Sequence, residues 1–264
     1  MPATQFTFWL ILLSLLSVLC TAQPQLQTST DPVRVATSII KPWGMVIDGE
    51  QQGLLIETAK VLHTETGIPY RHIFRPYTRV FHELLSGYSD LALVFQSPRV
   101  DQDAILVGTI TQTRVILVGL PDNQPIDSLA QLNGQSVGHM RGSKYGAAFD
   151  LATNFKRQPI NTIEQGLAML KRQRIDYMAA VDHTVYWGMK QLGLSATEIA
   201  EMTSLQGPIL ALYMSKKSPH LNLLPVYQQA VARLNHNGTF KAIYGNPQRW
   251  LDEIQQQPVF SAAE

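Results

Sequence analysis

Asp90-Leu91-Ala92-Leu93-Val94-Phe95 is the stretch that decides the fold of this chain. After one aspartate it is an unbroken apolar run, the pattern of a short strand that is covered on both faces, as in a parallel sheet. The residues before it predict a helix over 54–63, a strand over 70–74 and a helix over 76–87. Strands that alternate with helices in this way predict parallel strands joined by helical crossovers.

A second series of helices and strands follows in the later part of the chain. Asp176–Val181 (DYMAAV) is another apolar run typical of a covered strand, and a helix is predicted before it over 164–172. Further predicted elements are strands over 33–37, 115–120, 136–140 and 209–214, and helices over 143–155, 182–192 and 218–237. The two series predict an α/β protein of two similar lobes, each a mainly parallel sheet flanked by helices.

Composition excludes several classes of protein. The 264 residues carry 21 basic and 20 acidic side chains, a formal net charge of +1, which excludes a basic nucleic-acid-binding surface. The single cysteine excludes a disulfide framework and a multi-thiolate metal centre. The sequence shows no metal-ligand cluster, no glycine-rich phosphate loop and no nucleophile motif. We therefore expect no metal, no cofactor and no nucleic-acid partner.

The N-terminus predicts a targeting segment. Phe8–Cys20 is an almost continuous apolar run that is too short to span a hydrocarbon core as a helix. Cys20-Thr21-Ala22 supplies the small residues that a signal peptidase accepts, so we predict that residues 1–22 are a cleaved secretory signal and that Gln23 begins the mature chain. Two alternatives remain, namely lipidation at Cys20 and an uncleaved anchor.

Two of the predicted strands are followed by groups that favour anions. Arg99, in Ser97-Pro98-Arg99 just after Phe95, offers a planar fork that can hold a carboxylate through two hydrogen bonds. Gly142 and Ser143 follow the strand that ends at Met140, where a helix start can turn backbone N–H groups toward an anion. The alternatives are a solvated arginine and ordinary helix capping by Ser143.

Two further positions complete the candidate site. Asp182 follows Val181 and can pair with a ligand ammonium, or can simply cap the next helix. Trp43, in the loop after the first strand, can form a flat apolar wall or can be an ordinary packed side chain. Ligands of open α/β sheets bind beyond the carboxyl ends of the strands, so these positions together predict a site for a zwitterion.

The chain resembles the family 3 extracellular solute-binding proteins, which deliver polar amino acids to ABC importers. The segments that carry this resemblance are 53–59 (GLLIETA), 87–92 (GYSDLA), 97–99 (SPR), 132–138 (LNGQSVG), 174–178 (RIDYM), 214–219 (MSKKSP) and 237–240 (NGTF). They occur in the order found in the family. The resemblance covers residues 33–245, nearly all of the predicted mature chain.

The resemblance implies a two-lobe, type II periplasmic-binding-protein fold whose lobes are joined by two hinge strands. Lobe 1 would comprise residues 23–112 and 208–264, and lobe 2 residues 113–207. Arg99 would grip the ligand carboxylate with help from Gly142 and Ser143, Asp182 would take the ammonium, and Trp43 would flank the ligand side chain. Ser97 and Phe95 belong to the same site. Val94 and Phe95 replace hydroxyl-bearing residues that usually contact the ligand amino group, so the alternatives to an α-amino acid are another small acid and an orphan member of the family.

The function implied by the resemblance is non-catalytic. We expect a monomeric periplasmic protein that closes around an amino acid or related small carboxylate and hands it to an inner-membrane ABC permease. The alternatives are a dehydratase-like enzyme on the same scaffold, with His139 or His183 as a base, and a ligand-sensing module that acts on a membrane receptor.

Overall fold

The computed structural model describes residues 31–250, so the predicted signal segment lies outside the described residues. The strands are β1 (Val33–Ser38), β2 (Met45–Ile47), β3 (Glu50–Gln52), β4 (Tyr70–Arg75), β5 (Leu91–Phe95), β6 (Ala104–Gly119), β7 (Ser136–Met140), β8 (Lys156–Ile160), β9 (Tyr177–Val181) and β10 (Ala200–Ser215). The helices are α1 (Leu54–Thr66), α2 (Tyr77–Ser86), α3 (Pro98–Asp103), α4 (Ala147–Asp150), α5 (Ile163–Lys171), α6 (Asp182–Gln191), α7 (Leu224–His236) and α8 (Thr239–Tyr244). None of these helices is long and apolar enough to cross a membrane.

Eight of the strands form one sheet in the order β4-β1-β5-β10-β6-β9-β7-β8. Parallel pairs lie at both ends of the sheet, where β1 pairs with β4 and β5, and β7 pairs with β8 and β9. The central strand β10 is antiparallel to both β5 and β6, and β6 is antiparallel to β9. The predicted α/β class with mainly parallel strands and helical crossovers is confirmed.

The two longest strands connect the two parallel parts of the sheet. Strand β10 pairs with β5 through Leu210–Met214, and strand β6 pairs with β9 through Val115–Val118. Between these pairings the two strands run alongside each other, with a register shift between Gln206 and Ile209. They are the two connecting strands that the resemblance implies. The predicted lobe limits, 112/113 and 207/208, fall in this stretch and stay a prediction.

Alternate side chains of β5 enter two different apolar cores. Leu91 and Leu93 belong to the large core that also holds α1 side chains such as Leu54, whereas Ala92 and Val94 pack in a smaller core with side chains of α2. Burying a leucine or valine stabilises the folded state by about 1.5–3 kcal/mol. Helices on both faces therefore explain why this strand is a continuous apolar run.

One predicted helix is wrong. The helix expected over 143–155 is only the four-residue α4, and the unpredicted strand β8 follows it. Aromatic packing overrides helical propensity here, because the Phe149 ring lies 5.3 Å from both the Tyr145 and Phe155 rings. The Arg157 guanidinium covers the Phe149 ring at 4.8 Å, and this cluster folds the segment back on itself.

A second helix begins later than predicted. Instead of starting at Ser218, the segment forms a short 3₁₀ turn over Leu221–Leu223, and α7 follows it. The Ser218 hydroxyl donates to Oδ1 of Asp90 (2.8 Å) and accepts from the His220 N–H, which holds the chain in a turn. The predicted strands over 115–120 and 209–214 are parts of the much longer β6 and β10.

Candidate functional site

The carboxyl ends of β1, β4 and β5 lie at one edge of the sheet, because these strands are parallel and adjacent. The Ile39 N–H donates to the Arg75 carbonyl (2.9 Å), so the chain just after β1 stays level with the end of β4. The side chains at this edge are mainly apolar. Ile39 and Ile40 are 49% and 40% exposed, and Phe74 and Phe95 are half-buried.

The loop after β1 is held by the beginning of α1. The backbone N–H of Leu55 donates to the Trp43 carbonyl (2.8 Å), satisfying one of the N–H groups that a helix start leaves free. Gly44 allows the close approach, because a Cβ at this position would lie 2.2 Å from the Ser38 carbonyl oxygen. The indole of Trp43 is consequently fixed at the sheet edge.

Trp43 is a buried side chain at the centre of an aromatic group. Its ring lies 5.4 Å from Phe95, 5.6 Å from His183 and 6.0 Å from Tyr244, measured between ring centroids. Its Nε1–H donates to the Thr184 hydroxyl on α6 (3.1 Å). Trp43 therefore joins the loop after β1 to the start of α6, 141 residues later in the chain.

Arg99 lies in the first turn of α3, directly after the end of β5. The Ser97 hydroxyl caps this short helix by accepting from the Val100 N–H (3.5 Å), and Pro98 occupies a position where no N–H is needed. The Arg99 side chain is exposed, and among residues 31–250 it has no ion-pair or hydrogen-bond partner. Its guanidinium is free to hold an anion.

Asp182 is the first residue of α6 and is 4% exposed. Its Oδ1 accepts from the His183 N–H (2.7 Å), and its Oδ2 accepts from Nε of Arg114 on β6 (3.3 Å). Nη2 of Arg114 also donates to both carboxylate oxygens of Glu201 (3.1 Å each). Burial raises the pKa of Asp182, against the attraction of His183 and Arg114.

His183 is buried between Asp182 and α8. Its Nε2 lies 3.0 Å from the carbonyl oxygen of Tyr244, which can only accept, so Nε2 carries the proton. Nδ1 is buried with no hydrogen-bond partner among the described residues. Burial lowers the pKa of His183, so the ring is neutral near pH 7 and fixed in one tautomer.

Gly142 and Ser143 lie in an exposed turn after β7, with Gly142 at a φ of 77° and the Ser143 N–H bonded to the Met140 carbonyl (3.1 Å). The prediction that a helix starts at Ser143 is wrong, because α4 begins at Ala147 and its N-cap is Gly146. The anion-binding role given to this pair therefore loses its helix, and what remains there is an open turn.

A cavity of about 570 Å³ lies where β6 passes the end of β9. Its lining comprises Trp43, Ile110, Thr111, Gln112, Thr113, Arg114, Asp182, His183, Asn235, Lys241, Tyr244, Gly245, Asn246, Pro247 and Gln248. Of the seven predicted site residues it contains Trp43 and Asp182. Ser97, Phe95, Arg99, Gly142 and Ser143 do not line it.

Sequence reasoning missed the two cations of this cavity. Arg114 lies inside β6, the strand that the resemblance implied as a hinge, and no role was predicted for this arginine. The signal that could have identified it is its position between two residues that are buried, Thr113 and Val115. Lys241 lies in α8 beside Tyr244, and its ammonium group has no partner among the described residues. Neither residue follows a parallel strand, which is where the candidate residues were sought.

No family model matches the chain, and no curated protein matches it. Several solved structures share its fold. The periplasmic VFT2 domain of Bordetella pertussis BvgS has a TM-score of 0.65 at 18% identity, covering 83% of this chain and 92% of that domain. The substrate-binding protein AbpA of a Streptococcus pneumoniae amino acid ABC transporter, bound to L-arginine, has a TM-score of 0.63 at 20% identity, covering 83% and 95%.

An ancestral arginine-binding protein bound to arginine is similar to the same extent, with a TM-score of 0.62 at 20% identity, covering 81% of this chain and 97% of that chain. These identities establish the fold and no more. The chain has the two-lobe, type II periplasmic-binding-protein fold that the sequence resemblance implied.

Proposed function

We propose that this protein binds a small polar solute, an amino acid or related small carboxylate, and delivers it to an ABC transporter in the inner membrane. The solute would lie at the carboxyl ends of the strands, between the part of the sheet that holds β1 and β5 and the part that holds β7 and β9. Closure of the two lobes around it would be a hinge movement at β6 and β10.

The observation that carries the proposal is the free guanidinium of Arg99 at the end of β5. A charged side chain without a counter-ion in the first turn of a helix is suited to a carboxylate, which accepts two parallel hydrogen bonds from the planar fork. Ser97 and Phe95 precede Arg99 by two and four residues. The exposed turn at Gly142 and Ser143 lies at the end of β7, and the space around Gly142 is open, although the Ser143 N–H is bonded to the Met140 carbonyl.

The cavity lined by Trp43 and Asp182 is a second observation that supports solute binding. Its volume of about 570 Å³ falls within the usual range for small-molecule sites of roughly 300–1,000 Å³. Residues of β6, α6 and the chain after α8 line it, so a solute here would touch the strands that connect the lobes.

Delivery to a permease is proposed from the solved structures that share the fold, among them a substrate-binding domain of a putative amino acid ABC transporter. We further propose, from the predicted signal segment, that the protein is a periplasmic, non-catalytic monomer. A second role, ligand sensing, is favoured by two other structures of this fold, the BvgS VFT2 domain and a histidine kinase sensor domain. A bacterial two-hybrid assay against permease and kinase partners separates delivery from sensing.

The test is a thermal-unfolding screen of the purified secreted protein against amino acids and small carboxylates. A bound solute raises the melting temperature by mass action, and saturation at a hundred times the dissociation constant stabilises the protein by about 2.7 kcal/mol. Arg99→Gln should abolish most of this rise. The matched control is Arg71→Gln, an exposed arginine near the amino end of β4, opposite the carboxyl end where the solute would lie.

Lys241→Gln then shows which position the solute occupies. A loss of binding in Lys241→Gln with none in Arg99→Gln moves the solute into the cavity and contradicts the role of Arg99. NMR then follows the probe during incubation with the protein. A probe that stays unchanged supports binding without catalysis, whereas turnover would establish the enzyme alternative.

A further inference from the structure

We infer that the solute is a small carboxylic acid with an apolar body and no ammonium group. This inference rests on the proposed function and specifies its ligand class. Three features of the described residues carry it, namely an apolar strand edge, the free guanidinium of Arg99 beside that edge, and the commitment of Asp182 and Asp101, near the ends of β9 and β5, to partners within the protein.

The edge formed by β1, β4 and β5 is apolar where a ligand would contact it. Ile39 and Ile40, directly after β1, are 49% and 40% exposed, which is unusual for two neighbouring isoleucines that follow a buried strand. Phe74 near the end of β4 and Phe95 at the end of β5 are half-buried beside them. Covering these side chains with an apolar ligand body removes them from water.

Aromatic rings extend this wall along the edge. The Phe95 ring contacts Trp43 edge-on at 5.4 Å and lies 6.4 Å from Tyr77, which in turn contacts Phe81 edge-on at 5.0 Å. The Tyr77 ring is half-buried beside Phe95. Such a row of rings suits a flat or branched hydrocarbon group.

Among the described residues, free cations lie beside this wall, namely Arg99 and the exposed Lys41 that directly follows Ile40. Arg99 follows Phe95 by four residues, and its guanidinium has no partner among the described residues. A carboxylate on the guanidinium would bring the rest of a small acid alongside Phe95 and the isoleucines. The arrangement therefore specifies one anionic end and one apolar end.

Two carboxylates near these strand ends, Asp182 and Asp101, already have partners within the protein. Asp182 accepts from Arg114 and from the His183 N–H and is nearly buried, and the cavity beside it holds a second cation, Lys241. Asp101, two residues after Arg99, accepts a hydrogen bond from the Tyr213 hydroxyl. Desolvating a ligand ammonium without a free carboxylate is unfavourable, so an α-amino group would weaken binding.

Matched pairs of probes test this directly. Isothermal titration of the purified protein would compare 3-phenylpropanoate with L-phenylalanine and 4-methylpentanoate with L-leucine, since each pair differs only in the ammonium group. We expect the acid without the ammonium to bind at least tenfold more tightly in at least one pair. Succinate, glutamine and arginine serve as polar probes.

Ile40→Ser tests the apolar wall, with Val226→Ser as the control, because Val226 on α7 is similarly exposed (38%) and remote from the edge. We expect Ile40→Ser to weaken binding of the better acid by about tenfold and Val226→Ser to leave it unchanged. Phe95→Ser provides a second variant at the same wall.

The outcomes separate the inference from the proposed function. Tighter binding of an amino acid or of succinate, dependent on Arg99, overturns the ligand class and leaves solute binding standing. Equal binding by Ile40→Ser, Phe95→Ser and the wild type overturns the apolar wall. Binding of none of the probes, polar or apolar, overturns both the inference and the proposed function.

Discussion

Arg114 on β6 donates from Nε to Oδ2 of Asp182, the first residue of α6, over 3.3 Å. The pair ties a connecting strand to the start of a helix 68 residues further along the chain. The same guanidinium donates to Glu201 on β10, so one arginine links β6, α6 and β10 near the predicted junction of the lobes. The carboxylate that the sequence offered to a ligand ammonium is therefore held within the protein.

We predict that Arg114→Gln destabilises the folded state by about 1–2 kcal/mol, because it leaves the buried Asp182 without its ionic partner. The expected loss is moderate because half of the Arg114 side chain is exposed to solvent, which screens the ion pair. Asp182→Asn in the same chain should restore part of this loss. Urea denaturation of both single variants and the double variant at pH 7 measures the coupling. The exposed pair Lys171 and Glu198 is the control, and additivity at Arg114 and Asp182 would contradict the prediction.

Gly44→Ala should destabilise the protein by more than about 2 kcal/mol, because the added Cβ would collide with the Ser38 carbonyl and the Phe74 ring. The comparison is Gly134→Ala, which meets nothing within 4 Å and carries only the cost of a positive φ, about 1 kcal/mol. Thermal and urea unfolding of the two variants measure the difference. Equal effects would show that the loop holding Trp43 relaxes freely.

We predict that the free energy of unfolding decreases as the pH is lowered below 6.5, because His72 is protonated more readily in the unfolded state. Burial lowers the pKa of His72 from 6.5 to about 4 in the folded protein. Above pH 6.5 both states hold the neutral ring, and as pH falls toward 4 only the unfolded state gains the proton. The free energy of unfolding therefore drops by about 2 kcal/mol over this window, after allowance for partial solvent access.

His72→Gln should flatten that part of the profile and keep a partner for the Thr37 hydroxyl, which lies 2.6 Å from Nε2 of His72. Urea titrations at pH 7 and pH 5 compare the variant with wild type. His236→Gln, at the exposed end of α7, is the control. A pH slope that His72→Gln leaves unchanged would assign the acid sensitivity to other groups.

Thr184→Val should destabilise the protein by about 1 kcal/mol, because it removes the hydroxyl that accepts from the Trp43 indole while keeping the shape of the side chain. Trp43→Phe in the same background should then cost less than it does in the wild type. Intrinsic fluorescence during urea unfolding follows both. Identical costs of Trp43→Phe in the two backgrounds would mean that this hydrogen bond contributes nothing.

Much of the architecture could be predicted because the burial of a strand or helix shows in the pattern of apolar residues within its own short segment. The run Leu91–Phe95 is apolar throughout since helices cover both faces of β5, and the same pattern predicted β9. The segments 87–92 and 214–219, noted separately in the sequence, meet where Ser218 donates to Asp90. The helix over 143–155 was wrong because packing of Phe149 against its neighbours, which no period in the sequence records, outweighs helical propensity.

Some features of the candidate site could likewise be predicted from the sequence, whereas others depend on the tertiary structure. The sequence by itself determined the alternation of strands and helices, the covered strands, and the positions that follow them, Arg99 and Asp182 among these. Only the tertiary structure decided that Arg114 occupies the Asp182 carboxylate, that Trp43 is packed between Phe95 and His183, and that Arg99 has no partner among the described residues. The physical reason is that periodicity depends on neighbours a few residues apart, whereas pairing of charges depends on how distant segments approach when the sheet forms.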